Sequence, residues 1–269
     1  MTQTFYVSGI FETVGTKFGL NIGCDFDANT DMCYGLVVTS QQTVAQFLSK
    51  HQPLYNYLIL DDIIDGIPTI RLIRRAVGAD LEIDTVVKQG DCIPAGQGAP
   101  AINFSRVDPM ALPRQVELQY VSWDRNFAIN TQYAVNQGAK AQQSIMSVQC
   151  DFILDDATAR TLAYDLLFRI WSQQLSLTFE HPDLTIEPSD IVQVNADQGS
   201  FVVQITTSMI TKEPMDNSGI GRTNQLTGQL LLPRRSGVTV SPGQVSTVSS
   251  TGAFHTYSNP TISFVGEQG

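Results

Sequence analysis

Runs of alternating apolar and polar residues fill the second half of the chain, and this two-residue period restricts the fold more than any other feature. In one run, Val116, Leu118 and Tyr120 alternate with two polar residues. Successive side chains of a β-strand point to opposite faces, so such a run predicts a strand with one buried and one solvated face. Further strands are predicted at residues 144–152, 175–179, 191–194 and 201–205. Short strands at this spacing are typical of a small barrel or a sandwich.

Three helices are predicted from apolar residues spaced three or four apart. The first spans residues 3–18 and is closed by Gly19, the second follows Ser40 as its N-cap, and the third begins at Asp155 or Asp156. The apolar stripes of these helices are Ile10, Val14 and Phe18; Val44, Phe47 and Leu48; and Ala159, Leu162, Ala163, Leu166 and Ile170, with Trp171 beside the last.

A β-hairpin is predicted over residues 55–75, where two apolar runs flank Asp65-Gly66. Asp-Gly supplies the two positive φ angles that a tight hairpin turn needs. A short strand is also predicted at residues 34–38. Residues 1–75 therefore form helix, strand, helix and hairpin, a small α+β layer.

Glycine and proline concentrate at residues 88–101, which marks an internal boundary. We predict an α+β domain at residues 1–90 and a β-rich domain at 91–215 with one long helix at about 155–173. Residues 216–269 are rich in Gly, Ser and Thr, and we predict a β arm or an incomplete C-terminal unit there. The predicted class is α+β and β-rich, with small barrel-like β domains and an inserted helix-plus-hairpin domain.

The charge balance excludes several classes of function. The net charge is −10, whereas a nucleic-acid binder needs a dense positive footprint and a polybasic membrane-surface protein needs clustered Lys and Arg. Charged residues make up only 16% of the chain, so much of the polar surface is uncharged. We find no apolar run long enough to span a membrane and no secretion signal at the start, and therefore expect synthesis in the cytoplasm. The four cysteines form no CxxC pair, so we expect buried free thiols.

No constellation in the sequence predicts catalysis, a cofactor or a metal. The only histidines are His51, His181 and His255, and none belongs to a nucleophile motif. The adjacent carboxylates of Asp61-Asp62 and Asp155-Asp156 fall before a hairpin turn and at a helix start, where a structural role is expected. The remaining candidates are the Asp216-Asn217-Ser218-Gly219 stretch, the oxygen-rich loop with Asp25, Asp27, Asn29 and Asp31, and the glycine pairs Gly96/Gly98 and Gly219/Gly221. Each departs from its motif, so we interpret them as turns and solvated loops.

Residues 108–125 resemble the tail-tip hub proteins of siphophages and gene transfer agents. The matching positions are Asp108-Pro109, Leu112-Pro113-Arg114, the strand Val116 to Tyr120, and Asp124. The helix from Ala159 to Trp171 is similar to an alanine-rich helix of that family, and residues 184–192 are similar to its Leu-x-x-x-Pro-Gly-Asp-Val-Val turn. Ser189 stands where the family has glycine. The resemblance covers about residues 3–215, which family members carry inside a far longer chain, so we expect a split gene, a reduced hub or a fragment.

The resemblance implies a structural virion protein at the distal end of the tail, made in the host cytoplasm. Such hubs form a homotrimeric ring with pseudo-sixfold symmetry below the ring of distal tail protein. The implied partners are further copies of the chain, the distal tail protein, other tail-tip proteins, and tape measure or fibre proteins, with the host envelope nearby. The acidic balance would suit a DNA channel, because like charge keeps DNA from binding its wall.

A second hypothesis stays open, namely a tail-associated module that binds the envelope or carbohydrate, or hydrolyses glycan. It predicts a monomer with an aromatic groove and a carboxylate pair. The only tryptophans, Trp123 and Trp171, both fall in packing patterns, which favours the hub.

Overall fold

The computed structural model describes residues 4–25, 31–38, 41–75, 82–94, 98–136, 139, 144–215, 219–231 and 240–242. The chain divides into two compact units, each built from separate segments. The first comprises Met1–Arg74, Pro113–Phe168 and Thr239–Gly269, and the second comprises Arg75–Leu112 and Arg169–Val238. The predicted domain limits at residues 90 and 215 remain a prediction.

The described residues form three α-helices and sixteen strands. The helices are α1 (Val7–Lys17), α2 (Val44–Tyr55) and α3 (Asp156–Ser172). The strands are β1 (Phe5–Tyr6), β2 (Ile22–Asp25), β3 (Met32–Cys33), β4 (Gly35–Leu36), β5 (Tyr57–Ile64), β6 (Ile67–Arg74), β7 (Thr85–Lys88), β8 (Ile102–Arg106), β9 (Gln115–Ser122), β10 (Ala128–Asn136), β11 (Ile145–Leu154), β12 (Leu175–His181), β13 (Ile191–Ala196), β14 (Gly199–Met215), β15 (Gly219–Leu230) and β16 (Val240–Pro242). This confirms the predicted α+β, β-rich class. Among the described residues, no helix is long and apolar enough to cross a membrane.

The first unit contains three sheets. The largest has the strand order β16-β10-β9-β11-β4, the second has the order β2-β6-β5, and β1 pairs with β3. The pairs β9/β11 and β2/β6 are parallel, and the others are antiparallel. Gly15 allows α1 to lie close to β2, because a Cβ at this glycine would come within 2.6 Å of Ile22.

An aromatic cluster fills the core of the first unit. Phe152 on β11 is fully buried, and its ring lies 4.8 Å from His51, 5.4 Å from Tyr55 and 5.7 Å from Phe11, measured between centroids. All three contacts have an edge-to-face geometry, which aligns the positive ring edge with a negative ring face. The cluster joins β11 to α1 and α2, although these elements are more than 90 residues apart in sequence.

The second unit is one six-stranded sheet with the order β7-β13-β14-β15-β12-β8. Its core is aliphatic with one aromatic residue, and the buried members are Val87, Cys92, Ile102, Leu177, Phe179, Ile186, Val192, Val194, Val203, Ile205 and Leu226. The alternating runs that predicted strands at 175–179, 191–194 and 201–205 all lie in this sheet. Residues 219–230, which the sequence placed in a C-terminal arm, form β15 between β14 and β12.

The helix boundaries differ from the prediction at two N-termini. The first helix begins at Val7 rather than residue 3, because Phe5–Tyr6 pair with β3 as a strand. Phe18 is exposed and does not extend the buried stripe, although Gly19 follows the helix with a φ of +70° as expected. Ser40 lies outside the described residues. The cap of α2 is Thr43, which exchanges hydrogen bonds with Gln46 in a capping box.

Other local predictions are confirmed. Asp65 and Gly66 have φ angles of 52° and 80° and connect β5 to β6 as a two-residue turn. Asp155 caps α3 by accepting a hydrogen bond from the Thr158 amide at 2.6 Å. All four cysteines are free thiols, of which Cys24 is half-buried and the other three are buried.

Ser189 holds a backbone conformation that normally belongs to glycine. Its φ is 95°, its amide donates to the Ile205 carbonyl at 2.8 Å, and its own carbonyl accepts from Gln204 at 3.0 Å. These bonds fix the turn before β13, so the glycine-type geometry is kept without the glycine. A non-glycine residue at positive φ costs on the order of 1–3 kcal/mol.

Replacing Ser189 with glycine is expected to stabilise the protein by about 1 kcal/mol, because relief of strain exceeds the added chain entropy. Chemical denaturation of the wild type and Ser189→Gly would measure this difference. Ser105→Gly, on an edge strand without positive φ, is the control and should lower the stability. Equal losses for both variants would contradict the strained geometry at Ser189.

Candidate assembly surfaces

The two adjacent carboxylate pairs have structural partners. Asp62 accepts a hydrogen bond from Arg71 at 3.0 Å, and this bond, with the Ile63 amide, lowers the pKa of its carboxyl group. Asp155 caps α3. Structural contacts thus hold Asp62 and Asp155, while Asp61 is exposed on the edge strand β5.

Asp156 binds the β9–β10 hairpin to the start of α3. Its Oδ1 accepts hydrogen bonds from the Tyr120 hydroxyl at 2.5 Å and from Ser122 at 2.7 Å, and its Oδ2 accepts from Arg125 at 3.2 Å. Burial alone would raise the pKa of Asp156, but these bonds and one from Asn130 lower it to about 2. A carboxylate with four donors is a structural anchor with no proton to transfer near neutral pH.

Of the histidines, His51 lies deep in the first unit and has no access to a substrate. Its Nδ1 lies 2.8 Å from the Phe47 carbonyl, and its Nε2 accepts a hydrogen bond from the Asp151 amide at 3.2 Å. This pattern requires the neutral tautomer with the proton on Nδ1. Burial lowers the pKa of His51 to about 4.

The carboxylate of Asp151 lies beside this histidine and is only 2% exposed. It pairs with Lys50 at 2.5 Å and accepts a hydrogen bond from Gln42 at 3.3 Å. The sequence analysis did not identify this ion pair, since its members are about a hundred residues apart. His181 ends β12, and its Nδ1 accepts from the Asp183 amide at 3.2 Å. His255 and the stretch Asp216-Asn217-Ser218 lie outside the described residues.

The tryptophans are packed, as the sequence indicated for Trp123. Its ring stacks on Tyr34 at 4.7 Å with an 8° interplanar angle, and Phe127 meets it edge-on at 5.2 Å. Tyr34 therefore covers one face of the indole. Trp171 lies half-buried near the end of α3.

The oxygen-rich loop is partly described, and its described carboxylates bind arginine. Asp25 pairs with Arg71 at 3.0 Å, and Asp31 pairs with Arg74 at 2.7 Å. Asp27 and Asn29 lie outside the described residues, as do Gly96 and the side chains around Gly219. Within the described ranges, no group of three or more His, Cys, Asp or Glu side chains is placed to hold a metal ion.

Apolar side chains are exposed at the tip of the β5–β6 hairpin. Ile63 is 71% exposed, and Ile64 and Ile67 are also exposed on either side of the turn. Leu20 is exposed just before β2, which pairs with β6 in parallel. Exposed apolar patches are a feature of interaction sites, so the tip is a candidate assembly surface.

The second exposed feature is the outer edge of β14. The strand β13 covers this edge only as far as Gln204, and Ile205 then exchanges hydrogen bonds with Ser189 and Asp190. From Thr207 onward β14 pairs with β15 on one side, and none of the described strands pairs with its other side. Met209 and Ile210 on this stretch are 60% and 57% exposed. The alternating pattern predicted this strand as far as residue 205, but no local signal tells a free edge from a paired one.

Comparisons with known proteins concern the family and the fold of the chain. The family described as "Putative phage tail protein" matches residues 65–207, more than half of the chain. No curated protein matches the sequence. One similar solved structure is a chain of the virion of a native gene transfer agent particle, with 17% identity and a TM-score of 0.63 over 86% of this chain and 48% of that one.

Two crystal structures of tail proteins share the fold at 10% identity. The tail protein of Neisseria meningitidis MC58 gives a TM-score of 0.56 over 85% of this chain and 68% of that one. The 43 kDa tail protein of prophage MuSo2 from Shewanella oneidensis gives 0.52 over 86% and 66%. This chain thus spans about half of the gene transfer agent chain and two thirds of the other two. The suspected resemblance to phage tail proteins is confirmed, and by the family match over residues 65–207 the chain belongs to this family of phage tail proteins.

Proposed function

We propose that this phage tail protein is the hub of the tail tip and forms a homotrimeric ring at the distal end of the tail tube. The observation that carries the proposal is the fold it shares with a chain of an assembled gene transfer agent virion. Two further features support it. Apolar side chains are exposed at the β5–β6 tip and on β14. Among the candidate residues that the structure describes, structural contacts hold Asp62, Asp155, Asp156, His51 and His181.

In this proposal the chain is not an enzyme, and its partners are other tail proteins. The distal tail protein would lie on one side of the ring, and the tape measure or fibre proteins would be further partners. Its position would bring it near the host envelope during attachment and genome ejection. The net charge of −10 would keep DNA from adhering to the ring.

The mass of the purified chain in solution tests the proposal. Light scattering over a concentration series is expected to give three times the chain mass of 29.5 kDa. An epitope tag on the chain should be labelled at the distal end of the tail in an imaged particle. No turnover is expected with glycans or peptidoglycan.

Two results would overturn this function. A monomer at every concentration, combined with binding to glycan or peptidoglycan, would favour an envelope-binding module. Label along the tail shaft in place of its end would assign the chain to another part of the tail.

A further inference from the structure

The free edge of β14 begins with an unprotected stretch, because the charged and proline residues of the strand, Lys212, Glu213 and Pro214, come only after residue 211. Natural edge strands are protected by Lys, Pro or inward-pointing charges. The edge strand β5 carries Asp61 and Asp62, and the edge strand β7 ends on Lys88. In contrast, the residues of β14 from 207 to 211 are Thr, Ser, Met, Ile and Thr. No strand in the part of the chain that the structure describes pairs with the outer side of this stretch, and two apolar side chains are exposed on it, so an added β-strand would satisfy both.

The same sheet has a second edge strand, β8, whose residues are also mostly uncharged. The strand β8 pairs with β12 on one side, and no described strand pairs with its other side. Its exposed residues Asn103 and Ser105 are uncharged, and Arg106 at its end is the single charge of the strand.

On both edge strands, an apolar side chain lies on the core face of the sheet. Phe104 of β8 lies opposite the buried Leu177 and therefore on the core face of the sheet. Ile210 of β14 lies opposite the buried Asn224, which shares a face with Leu226, so it is on the core face as well. Joining the edges antiparallel with Ile210 opposite Phe104 would place Met209 opposite Ser105 and Ser208 opposite Arg106, so that no like charges are opposed. A parallel pairing would instead set Lys212 opposite Arg106.

We propose that β14 of one copy pairs with β8 of the next copy, so that the six-stranded sheets of neighbouring copies become continuous. The two edges differ, so the contact is heterologous and generates a ring when the rotation closes. This inference rests on the proposed function and identifies the strands that would join the subunits.

A cross-link tests the contact directly. Met209 and Ser105 belong to strands that are three apart in the sheet, a distance of about 14 Å. A bis-maleimide with a shorter spacer therefore cannot join Met209→Cys to Ser105→Cys within one copy. An equal mixture of the two single variants is expected to give covalent dimers, and the double variant to give dimers and trimers. The wild type, whose Cys24 is half-buried, is the control for labelling of native thiols.

An independent test changes the apolar contact. Ile210→Lys is expected to weaken self-association by about tenfold or more, because the ammonium group would be buried between copies. The thermal midpoint of the monomer should not change, since Ile210 is exposed in one copy. Ile145→Lys, at an isoleucine of the first unit that is 58% exposed against 57% for Ile210, is the matched control and should assemble as the wild type does.

The possible outcomes separate this inference from the proposed function. A stable trimer with no mixed cross-link and normal assembly of Ile210→Lys would overturn the β14–β8 contact and leave the hub function intact. Met209→Cys cross-linking to itself would show that two β14 edges pair symmetrically, which also overturns the inference. If a third variant, Ile63→Lys, dissociates while Ile210→Lys assembles normally, the contact lies at the β5–β6 tip and the inference is overturned. A wild type that is monomeric at every concentration, without cross-links, would overturn the β14–β8 contact, and binding of glycan or peptidoglycan by that monomer would overturn the hub function as well.

Discussion

Replacing Lys50 with methionine is expected to lower the free energy of unfolding by about 3–5 kcal/mol, because it leaves a buried carboxylate without its counter-charge. Asp151 is 2% exposed and has Lys50 as its cationic partner at 2.5 Å. Methionine keeps the length of the side chain, so the loss would report the charge more than the packing. Urea denaturation near pH 7.5 would measure it.

A double-mutant cycle identifies the source of that loss. Asp151→Asn removes the buried charge, so the combination Lys50→Met/Asp151→Asn should be more stable than Lys50→Met alone. Arg71→Met is the control, since Arg71 forms exposed ion pairs with Asp25 and Asp62, and we expect it to cost less than about 1 kcal/mol. If Lys50→Met and Arg71→Met lower the free energy of unfolding equally, the buried ion pair contributes no more to stability than the exposed ion pairs do.

Acidification is expected to destabilise the first unit through His51. The pKa of this side chain is about 4 in the folded protein, because burial disfavours the imidazolium, against 6.5 in the unfolded chain. The unfolded chain therefore takes up the proton first as the pH falls. Stability is full above pH 6.5 and is lost progressively towards pH 4. The difference between these two pKa values corresponds to a loss on the order of 3 kcal/mol.

The free energy of unfolding measured from pH 7.5 to 4.5 tests this dependence. His51→Gln keeps an acceptor for the Asp151 amide but has no titratable group, so its stability should change less over this range. His181→Gln is the control, because His181 lies at the end of β12 outside the buried cluster. An unchanged slope in His51→Gln would show that the pH dependence arises from other groups.

Local signals predicted the local structure well. The alternation in residues 116–120 gave β9, and the Asp-Gly turn gave the β5–β6 hairpin. The N-cap carboxylate of Asp155 gave the start of α3. Each of these depends on residues within one turn or one strand, so the chain itself carries the information. The error at residues 3–6 has the same explanation, because only pairing with β3, far along the chain, makes Phe5–Tyr6 a strand.

The candidate surfaces could not be predicted in this way. Whether the edge of β14 is free depends on where β13 begins, because its first residue, Ile191, pairs with Gln204. The pairing of Lys50 with Asp151 depends on how α2 lies against β11. Ser189 is intermediate, because the motif around it indicated a turn but the sequence could not show that serine keeps the glycine geometry.

The five-stranded sheet of the first unit has a consequence for synthesis. It takes β4 from residues 35–36, β9 to β11 from 115–154 and β16 from 240–242. The strand that pairs with the end of β10 is therefore translated roughly 100 residues after β10 itself, a delay of about 5–20 s at common elongation rates. During that interval, while the chain is still on the ribosome, the outer edge of β10 has not yet paired with β16. The speed of translation, more than the stability of the folded protein, would then determine how long β10 could pair wrongly with nascent chains on neighbouring ribosomes of the same messenger RNA.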